Sequence, residues 1–195
     1  MRQKDESKAE QIYQSTMELV LEKGLSGVTM CDISRSAGMA TGTLYIYFKN
    51  KEELMYALFG LCRKESARYY LKDYDPRKSF EENFEHIFRN IMDYRLVHFE
   101  KFIFLEQCYH SPFITGPLRK DSLKVLEPLF LLLQEGKEKM LIKDLDNSLL
   151  LGFIIGCINE VVKKAHYAKK KIDEGTRENL FQLCWDGIRQ RDARP

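Results

Sequence analysis

Several features that mark other protein classes are scarce in this sequence of 195 residues. It has only 5 prolines and 11 glycines, fewer than the many turns of an all-β protein require. Its first eight residues are polar and lack the apolar core of a signal peptide. The longest apolar run, 149–158, is well short of the roughly 20 residues that cross a bilayer. We therefore predict a cytoplasmic protein that does not enter a membrane.

The cysteines and the net charge exclude further classes. The 5 cysteines are an odd number, lie far apart and form no Cys-x-x-Cys pair, which favours reduced thiols over disulfides or a zinc site. The net charge is only +2, so any binding of nucleic acid must depend on particular side chains and not on a strongly basic surface. With 44% hydrophobic and 31% charged residues, the chain can form a buried core and is not disordered.

Enzyme motifs are also missing. The sequence has no Gly-x-Ser-x-Gly elbow, no Walker loop and no G-x-G-x-x-G fingerprint. Glu82/His86 and Glu106/His110 are spaced four apart, whereas di-iron bundles use a Glu-x-x-His spacing of three. We therefore predict that the protein is not an enzyme, and we expect neither a metal nor a cofactor.

Apolar residues recur at helical spacing along almost the whole chain, which predicts an all-α fold of about nine helices. One long helix is expected over 118–140, kinked at Pro128, and the last helix is expected to open at Thr176. The boundary falls near residue 50, giving a small domain over 1–50 and a larger one over 51–195. The expected caps and breaks are Gly24, Thr29 with Asp32, Gly38, Thr41, Asn50, Asp75 before Pro76, and either Asp144 or Asp146.

The segment Thr29–Lys51 carries the clearest functional pattern. Two short helices are joined by a turn that contains Gly38, with the small residues Ser34 and Ala37 where the helices cross. This pattern is typical of a helix-turn-helix, whose second helix lies in the DNA major groove. Core packing between two short helices is the alternative explanation.

The second of these helices has an apolar face and a polar face. Leu44 and Phe48 are four apart and are expected in the core. Hydroxyls on the other faces can meet phosphates or base edges, and the free N–H groups of the first turn favour a phosphate. Gly42 lets a DNA backbone approach closely, and Lys51 adds a positive charge just beyond the helix. The expected hydroxyl residues are Thr41, Thr43, Tyr45 and Tyr47.

At these positions the sequence resembles the N-terminal signature of the TetR family of transcriptional regulators. The resemblance implies an all-α homodimer with an N-terminal three-helix DNA-binding domain, followed by a helical domain for ligand binding and dimerisation. It also implies a repressor that leaves a palindromic double-stranded DNA operator when a small-molecule inducer binds. The alternative is a helical ligand-binding module that no longer binds DNA specifically. The matching residues are Gly24-Leu25, Val28-Thr29, Ile33-Ser34, Ala37 to Tyr45, Tyr47-Phe48, Lys51-Glu52 and Leu54.

The resemblance assigns DNA contacts residue by residue. Ile46 departs from the aromatic or polar residue frequent in the family, so we expect an apolar contact, for instance with a thymine methyl group. Tyr47 replaces a common histidine and is expected to keep a phosphate hydrogen bond. Core packing is the alternative for Tyr45, and a solvated surface is the alternative for Thr43 and Lys51. The predicted DNA-binding residues are Thr29, Met30, Thr41, Gly42, Thr43, Tyr45, Ile46, Tyr47 and Lys51.

The remaining residues carry no comparable signature. Aromatic residues cluster over 80–113, where they are more often core than pocket, although in this family these helices surround the inducer cavity. The ligand itself is not predicted. The candidate ligand-binding residues are Phe102, Glu106, Tyr109, Phe130 and Asn159.

The resemblance makes the last two long helices the dimerisation elements. Gly152 and Gly156 are four apart and allow close backbone approach, although packing within one subunit explains them equally well. A two-fold dimer places its recognition helices about 34–36 Å apart, one turn of DNA. The candidate dimer residues are Gly152, Gly156, Phe181, Cys184, Trp185 and Ile188.

Overall fold

The computed structural model describes residues 6–109, 111, 114 and 124–190. Across these residues the chain forms nine α-helices and no named strand, so the predicted all-α fold is confirmed. The helices are α1 (Glu6–Gly27), α2 (Met30–Ser36), α3 (Thr41–Tyr47), α4 (Lys51–Tyr70), α5 (Phe80–Val97), α6 (Phe99–Tyr109), α7 (Glu127–Glu138), α8 (Asn147–Tyr167) and α9 (Glu174–Ile188).

The helices form two compact units. Unit 1 contains the described residues up to Glu65 together with those from His98 to Leu123. Unit 2 contains Ser66–Val97 and the described residues from Lys124 onward. Unit 1 thus includes most of α4 and all of α6, which the predicted division at residue 50 assigns to the second domain. No helix among the described residues is long and apolar enough to cross a membrane.

Each of the five helices in unit 1, which are α1, α2, α3, α4 and α6, contributes at least one apolar residue to its core. α1 packs mainly against α6 and α2. Gln107 of α6 fastens the end of α1, because its side-chain oxygen accepts a hydrogen bond from the Leu25 backbone N–H at 2.8 Å. Gly24 interrupts α1 there with a φ of 73°, as the sequence predicts. The most deeply buried core residues include Ile12, Val20, Ile33, Leu44, Leu54, Phe59 and Phe104.

Most predicted caps are present. Thr29 and Asp32 form a capping box at the start of α2. Asn50 precedes α4, and its side-chain oxygen accepts a hydrogen bond from the Glu53 N–H at 2.8 Å. Asp146 likewise caps α8. Each cap satisfies backbone N–H groups that have no partner within the helix.

Two predicted caps are wrong. Ala40 is the N-cap of α3, and the hydroxyl of Thr41 instead shares a hydrogen bond of 2.8 Å with that of Ser34. Asp75 closes a turn by accepting a hydrogen bond from the Arg77 N–H at 3.0 Å. The helix that was expected to begin there starts later, after Ser79.

Two other helix starts also differ from prediction. α7 begins at Glu127, and Pro128 lies in its first turn, where its missing N–H breaks no hydrogen bond and causes no kink. The predicted residues 118–123 of that helix lie outside the described residues. The last helix opens at Glu174, because the Asp173 side chain caps it by accepting a hydrogen bond from the Thr176 N–H.

Aromatic packing between α5 and α9 fixes how these helices run in unit 2. Phe84 of α5 contacts Phe181 and Trp185 of α9, with ring centroids 6.2 and 5.7 Å apart. Nearer the other end of α5, Arg89 forms an ion pair with Glu178 at 2.6 Å. Residues later in α5 therefore contact residues earlier in α9, so the two helices are antiparallel.

Candidate nucleic-acid interface

The turn between α2 and α3 has the features of a helix-turn-helix. Gly38 has a φ of 64°, a conformation that glycine adopts without strain. The N–H of Met39 donates to the carbonyl of Ser34 at 2.9 Å, and the hydroxyls of Ser34 and Thr41 join the two helices directly. These contacts fix the position of α3 relative to α2.

One face of α3 anchors the helix in unit 1. Leu44 is fully buried there, and Tyr47 and Phe48 are nearly so. The ring of Phe48 also lies 5.7 Å from that of Tyr13 on α1. The predicted core role of Leu44 and Phe48 agrees with this placement. Tyr47, predicted as a phosphate contact, places its ring in the core as well, which sequence reasoning did not foresee.

The opposite face of α3 is open to solvent. Tyr45 is 50% exposed and Ile46 is 66% exposed. A Cβ added at Gly42 would meet nothing within 4 Å, and Thr43 is half-buried beside it. Core packing, the alternative for Tyr45, does not fit this exposure. The face combines hydroxyl groups, an apolar side chain and a free backbone approach, which are the groups used to contact base edges and phosphates.

The beginning of α2 is occupied by its own capping box. The hydroxyl of Thr29 donates to Asp32 at 2.6 Å and accepts from the Asp32 N–H at 3.1 Å. The hydroxyl and the backbone N–H of Thr29 both donate to the Asp32 carboxylate, and these two hydrogen bonds hold the pKa of the carboxyl below its usual value. The side chain of Met30 is buried, so it contributes to the core, and only its backbone remains for the predicted DNA contact.

Lys51 connects α4 to the end of α1. Its ammonium donates a hydrogen bond of 2.7 Å to the carbonyl of Leu25, and burial lowers the pKa of this group. An ammonium has three donors, so this bond is compatible with the predicted phosphate contact. It nevertheless adds a structural role for which the sequence has no signal.

Positive charge near α3 is modest. The side chain of Arg35 is 76% exposed and lies 3.9 Å from the carboxylate of Asp32. The same carboxylate is 3.8 Å from Lys23. Lys49, just after α3, is exposed. The geometry therefore favours contacts by hydroxyls and apolar groups, supplemented by a few cations.

Two family models match the chain. The model described as bacterial regulatory proteins, tetR family, matches residues 12–58, which include α2, α3 and the start of α4. The model described as tetracyclin repressor-like, C-terminal domain, matches residues 79–189, more than half of the chain. The chain belongs to the TetR family of transcriptional regulators. The predicted family resemblance is thus confirmed, and the exposed face of α3 belongs to the helix-turn-helix of a TetR-family protein.

Individual relatives agree with this assignment. An uncharacterized HTH-type transcriptional regulator of Haemophilus influenzae is 35% identical over 47% of this chain and 49% of its own length. A TetR family regulator from Marinobacter aquaeolei has a TM-score of 0.89, 26% identity and coverage of 98% and 100% of the two chains. The fatty acid degradation regulator FadR from Bacillus halodurans has a TM-score of 0.74, 26% identity and coverage of 97% and 100%.

The predicted ligand-binding residues of this TetR-family chain are divided between the two units. Phe102, Glu106 and Tyr109 belong to α6 in unit 1, where Phe102 is buried and the other two are half-buried. Phe130 and Asn159 belong to unit 2 and are half-buried. The Asn159 side-chain oxygen accepts a hydrogen bond of 2.7 Å from the buried Arg95. Sequence reasoning missed Arg95, because nothing in its neighbourhood distinguishes it from a surface arginine.

The predicted dimer residues of α9 require a correction. Phe181, Cys184 and Ile188 are buried within the protomer, and Trp185 contacts Phe84 of the same chain. The first three therefore cannot present their side chains to a partner. A periodicity of three to four shows that a helix has an apolar face, but not whether that face meets its own subunit or another.

The opposite sides of α8 and α9 carry the exposed apolar residues. Leu149 and Phe153 of α8 are 59% and 43% exposed, and Leu183 of α9 is 70% exposed. A Cβ added at Gly152 or Gly156 would meet nothing within 4 Å. The two glycines thus lie beside open space, and their place in a dimer interface stays a prediction.

Proposed function

We propose that this TetR-family regulator is a repressor that binds a palindromic operator as a homodimer through α3 and leaves it when a small molecule binds. The exposed face of α3 is the observation that carries the proposal. Ile46 is 66% exposed in the protomer, and an apolar contact with a thymine methyl group would remove this side chain from water.

The DNA contact is tested by truncating the hydroxyl-bearing side chains of this face. Thr43→Ala and Tyr45→Ala each remove exposed or half-buried groups without opening the core. We expect each to cost about 1–3 kcal/mol of specific binding, or about 5- to 150-fold in Kd. The measurement is fluorescence anisotropy on an operator that the wild-type protein has selected from a random library of duplexes. Ser148→Ala, an exposed hydroxyl of unit 2, is the matched control. Operator affinity unchanged in both variants of α3 would contradict the proposal.

The dimer is proposed to form through the exposed apolar side of α8 and α9. Leu149→Glu and Leu183→Glu place a charge on this side and are expected to give monomers in analytical ultracentrifugation. Leu131→Glu changes a residue of α7 that is 62% exposed in the same unit and is expected to leave the dimer intact. Because a palindrome is bound by two subunits, the monomeric variants should also lose operator affinity. Dimers that persist in both would place the interface elsewhere.

The inducer is proposed to belong to the fatty acyl class, with its polar end held by Asn159 and Arg95. The similarity to a fatty acid degradation regulator supports this class, and a polar pair inside an apolar unit supplies the orienting contact that ligand sites use. A fatty acid and its CoA thioester are the probes, titrated into the protein–operator complex. Ligand and DNA must weaken each other by the same factor. An acyl compound that binds without changing operator affinity would refute this part of the proposal.

A further inference from the structure

The end of α8 and the loop after it concentrate positive charge. We define the basic segment as residues 163–171, which contain Lys163, Lys164, Lys169, Lys170 and Lys171. No acidic residue occurs between Val161 and Ile172. Because the whole chain has a net charge of only +2, this segment is far more basic than the average surface.

None of the acidic residues that flank the basic segment pairs with the three lysines of 169–171. Glu160 pairs with Lys163 at 2.6 Å, Asp173 caps α9, and Glu174 pairs with Arg89 at 2.5 Å. The three lysines of 169–171 are exposed and make no ion pair with any residue that the structure describes. Their charge is therefore directed to solvent or to a partner.

The C-terminal dipole of α8 accounts for only part of this charge. Cations in the last turn of a helix, such as Lys164, are stabilised by its carbonyl groups. This effect falls off within one turn, and α8 ends at Tyr167. Lys169, which has a φ of 51°, and the two lysines that follow lie in the loop, so helix stability does not explain them.

The packing within unit 2 shows where the basic segment lies. Asn159 of α8 is hydrogen-bonded to Arg95 of α5, and α5 ends two residues later at Val97. α8 continues for eight residues beyond Asn159, about 12 Å at the rise of an α-helix. Phe153 of α8 lies beside Gly187 at the end of α9, and that end of α9 packs on the start of α5, so α8 runs parallel to α5. The segment therefore lies at the end of unit 2 where α5 ends.

The chain first enters unit 2, and later leaves it after Val97, at this same end. The last turn of α4 packs here, because the Tyr70 hydroxyl accepts a hydrogen bond of 3.2 Å from the Arg95 guanidinium and the Tyr70 ring lies 5.6 Å from that of Tyr94. Val97 is the last residue before the chain returns to unit 1. Two of the three connections between unit 2 and unit 1, those at 65–66 and 97–98, thus leave from the end of unit 2 that carries the basic segment.

We propose that the basic segment is a second DNA-contacting surface, which binds backbone phosphates of the duplex outside the bases contacted by α3. The inference rests on the proposed binding of DNA by this chain. Lysine ammonium groups bind phosphate as point charges, without sequence preference. Their contribution is therefore expected in the salt dependence of binding and not in the choice of operator.

The test compares two triple variants of the full-length protein. One carries Lys169→Gln, Lys170→Gln and Lys171→Gln. The control carries Lys72→Gln, Lys78→Gln and Lys139→Gln, three exposed lysines of the same unit, so that both lose the same charge. Each phosphate contact contributes about 0.9 to the slope of log K against log salt. A dimer that loses three contacts per subunit should lower the slope by up to about 5, whereas the control should leave it near the wild-type value.

The measurement is made on the selected operator and on a duplex of random sequence. The proposal expects the slope to fall for both duplexes, because phosphates are common to both. If the wild type binds both duplexes equally, the operator proposal fails, while the comparison of variants on the random duplex still tests the basic segment. Equal slopes in the two triple variants would overturn the inference. A second result would also overturn it: phosphatidylglycerol vesicles bind the wild type but not the 169–171 variant, while the two proteins bind DNA equally well. The basic segment would then bind a lipid surface and not DNA.

Discussion

Replacing Gly42 by alanine separates the stability of the fold from DNA binding. Gly42 is the second residue of α3, and a Cβ at this position would meet nothing within 4 Å. Its φ is not among the positive values found for Gly24 and Gly38, so alanine fits the backbone. Alanine is favoured over glycine in a helix by up to about 1 kcal/mol. Gly42→Ala should therefore raise the free energy of unfolding slightly.

The same methyl group should weaken DNA binding. If the duplex packs closely against Gly42, an added carbon there costs about 1 kcal/mol, the lower end of the range for overpacking. A palindrome has two half-sites, so the total loss is about 2 kcal/mol, or roughly 30-fold in Kd. The prediction is thus a more stable protein with a lower operator affinity.

Gly60→Ala provides the matched control. Gly60 lies in the middle of α4 and also has nothing within 4 Å of an added Cβ, so the gain in helix stability should be similar without a change in DNA binding. Urea unfolding and fluorescence anisotropy measure the two quantities in the same preparations. Wild-type operator affinity in Gly42→Ala, or an equal loss of affinity in Gly60→Ala, would refute the proposed close approach of DNA.

Three further predictions concern unit 1. Lys51→Ala removes the donor to the Leu25 carbonyl and should lower the free energy of unfolding by about 1 kcal/mol. It should also lower the affinity for every DNA sequence. Unchanged urea unfolding would contradict the structural role of Lys51 and leave the phosphate contact as its one role. Asp32 has a pKa below its usual value because it accepts hydrogen bonds from Thr29. Its stabilising contribution is therefore complete above about pH 4 and is lost as the pH falls through the lowered pKa. Carboxyl NMR titration should show the lowered pKa, and Asp32→Asn should remove this pH dependence of the free energy of unfolding. Burial raises the pKa of Cys62 to about 12. At pH 8 a maleimide should therefore modify the exposed Cys31 and spare Cys62, as measured by mass spectrometry. Equal modification of the two cysteines would contradict the buried placement of Cys62.

Local signals in the sequence predicted much of the fold. Helical periodicity gave the correct class, and Thr29 with Asp32 marked the start of α2 because both partners of a capping box lie within four residues. The start of α5 was misplaced because Asp75-Pro76 and Ser79 each suit a helix start. Only the hydrogen bond of Asp75 to Arg77, which closes a turn, distinguishes the two.

Features that depend on distant residues could not be predicted. The bond from Lys51 to Leu25 joins residues 26 apart in sequence, and no local pattern indicates it. The α9 helix carries apolar residues on more than one side, so periodicity alone did not separate the buried Phe181 from the exposed Leu183. On α3 the sequence pattern correctly placed Leu44 on the buried face. It did not place Tyr47 there, because the hydroxyl of a tyrosine suits an exposed face while its ring can also pack in the core.

Selection of duplexes from a random library by the purified full-length protein tests the central proposal most directly. Two α3 helices in a two-fold dimer should enrich a palindrome whose half-site centres are about 10–10.5 base pairs, or 34–36 Å, apart. Thr43→Ala and Tyr45→Ala should lose or change the enriched sequence, whereas Ser148→Ala should enrich the wild-type palindrome. Failure of the wild type to enrich any sequence, or enrichment of the same palindrome by both α3 variants, would contradict the assignment of α3 as the helix that recognises the operator.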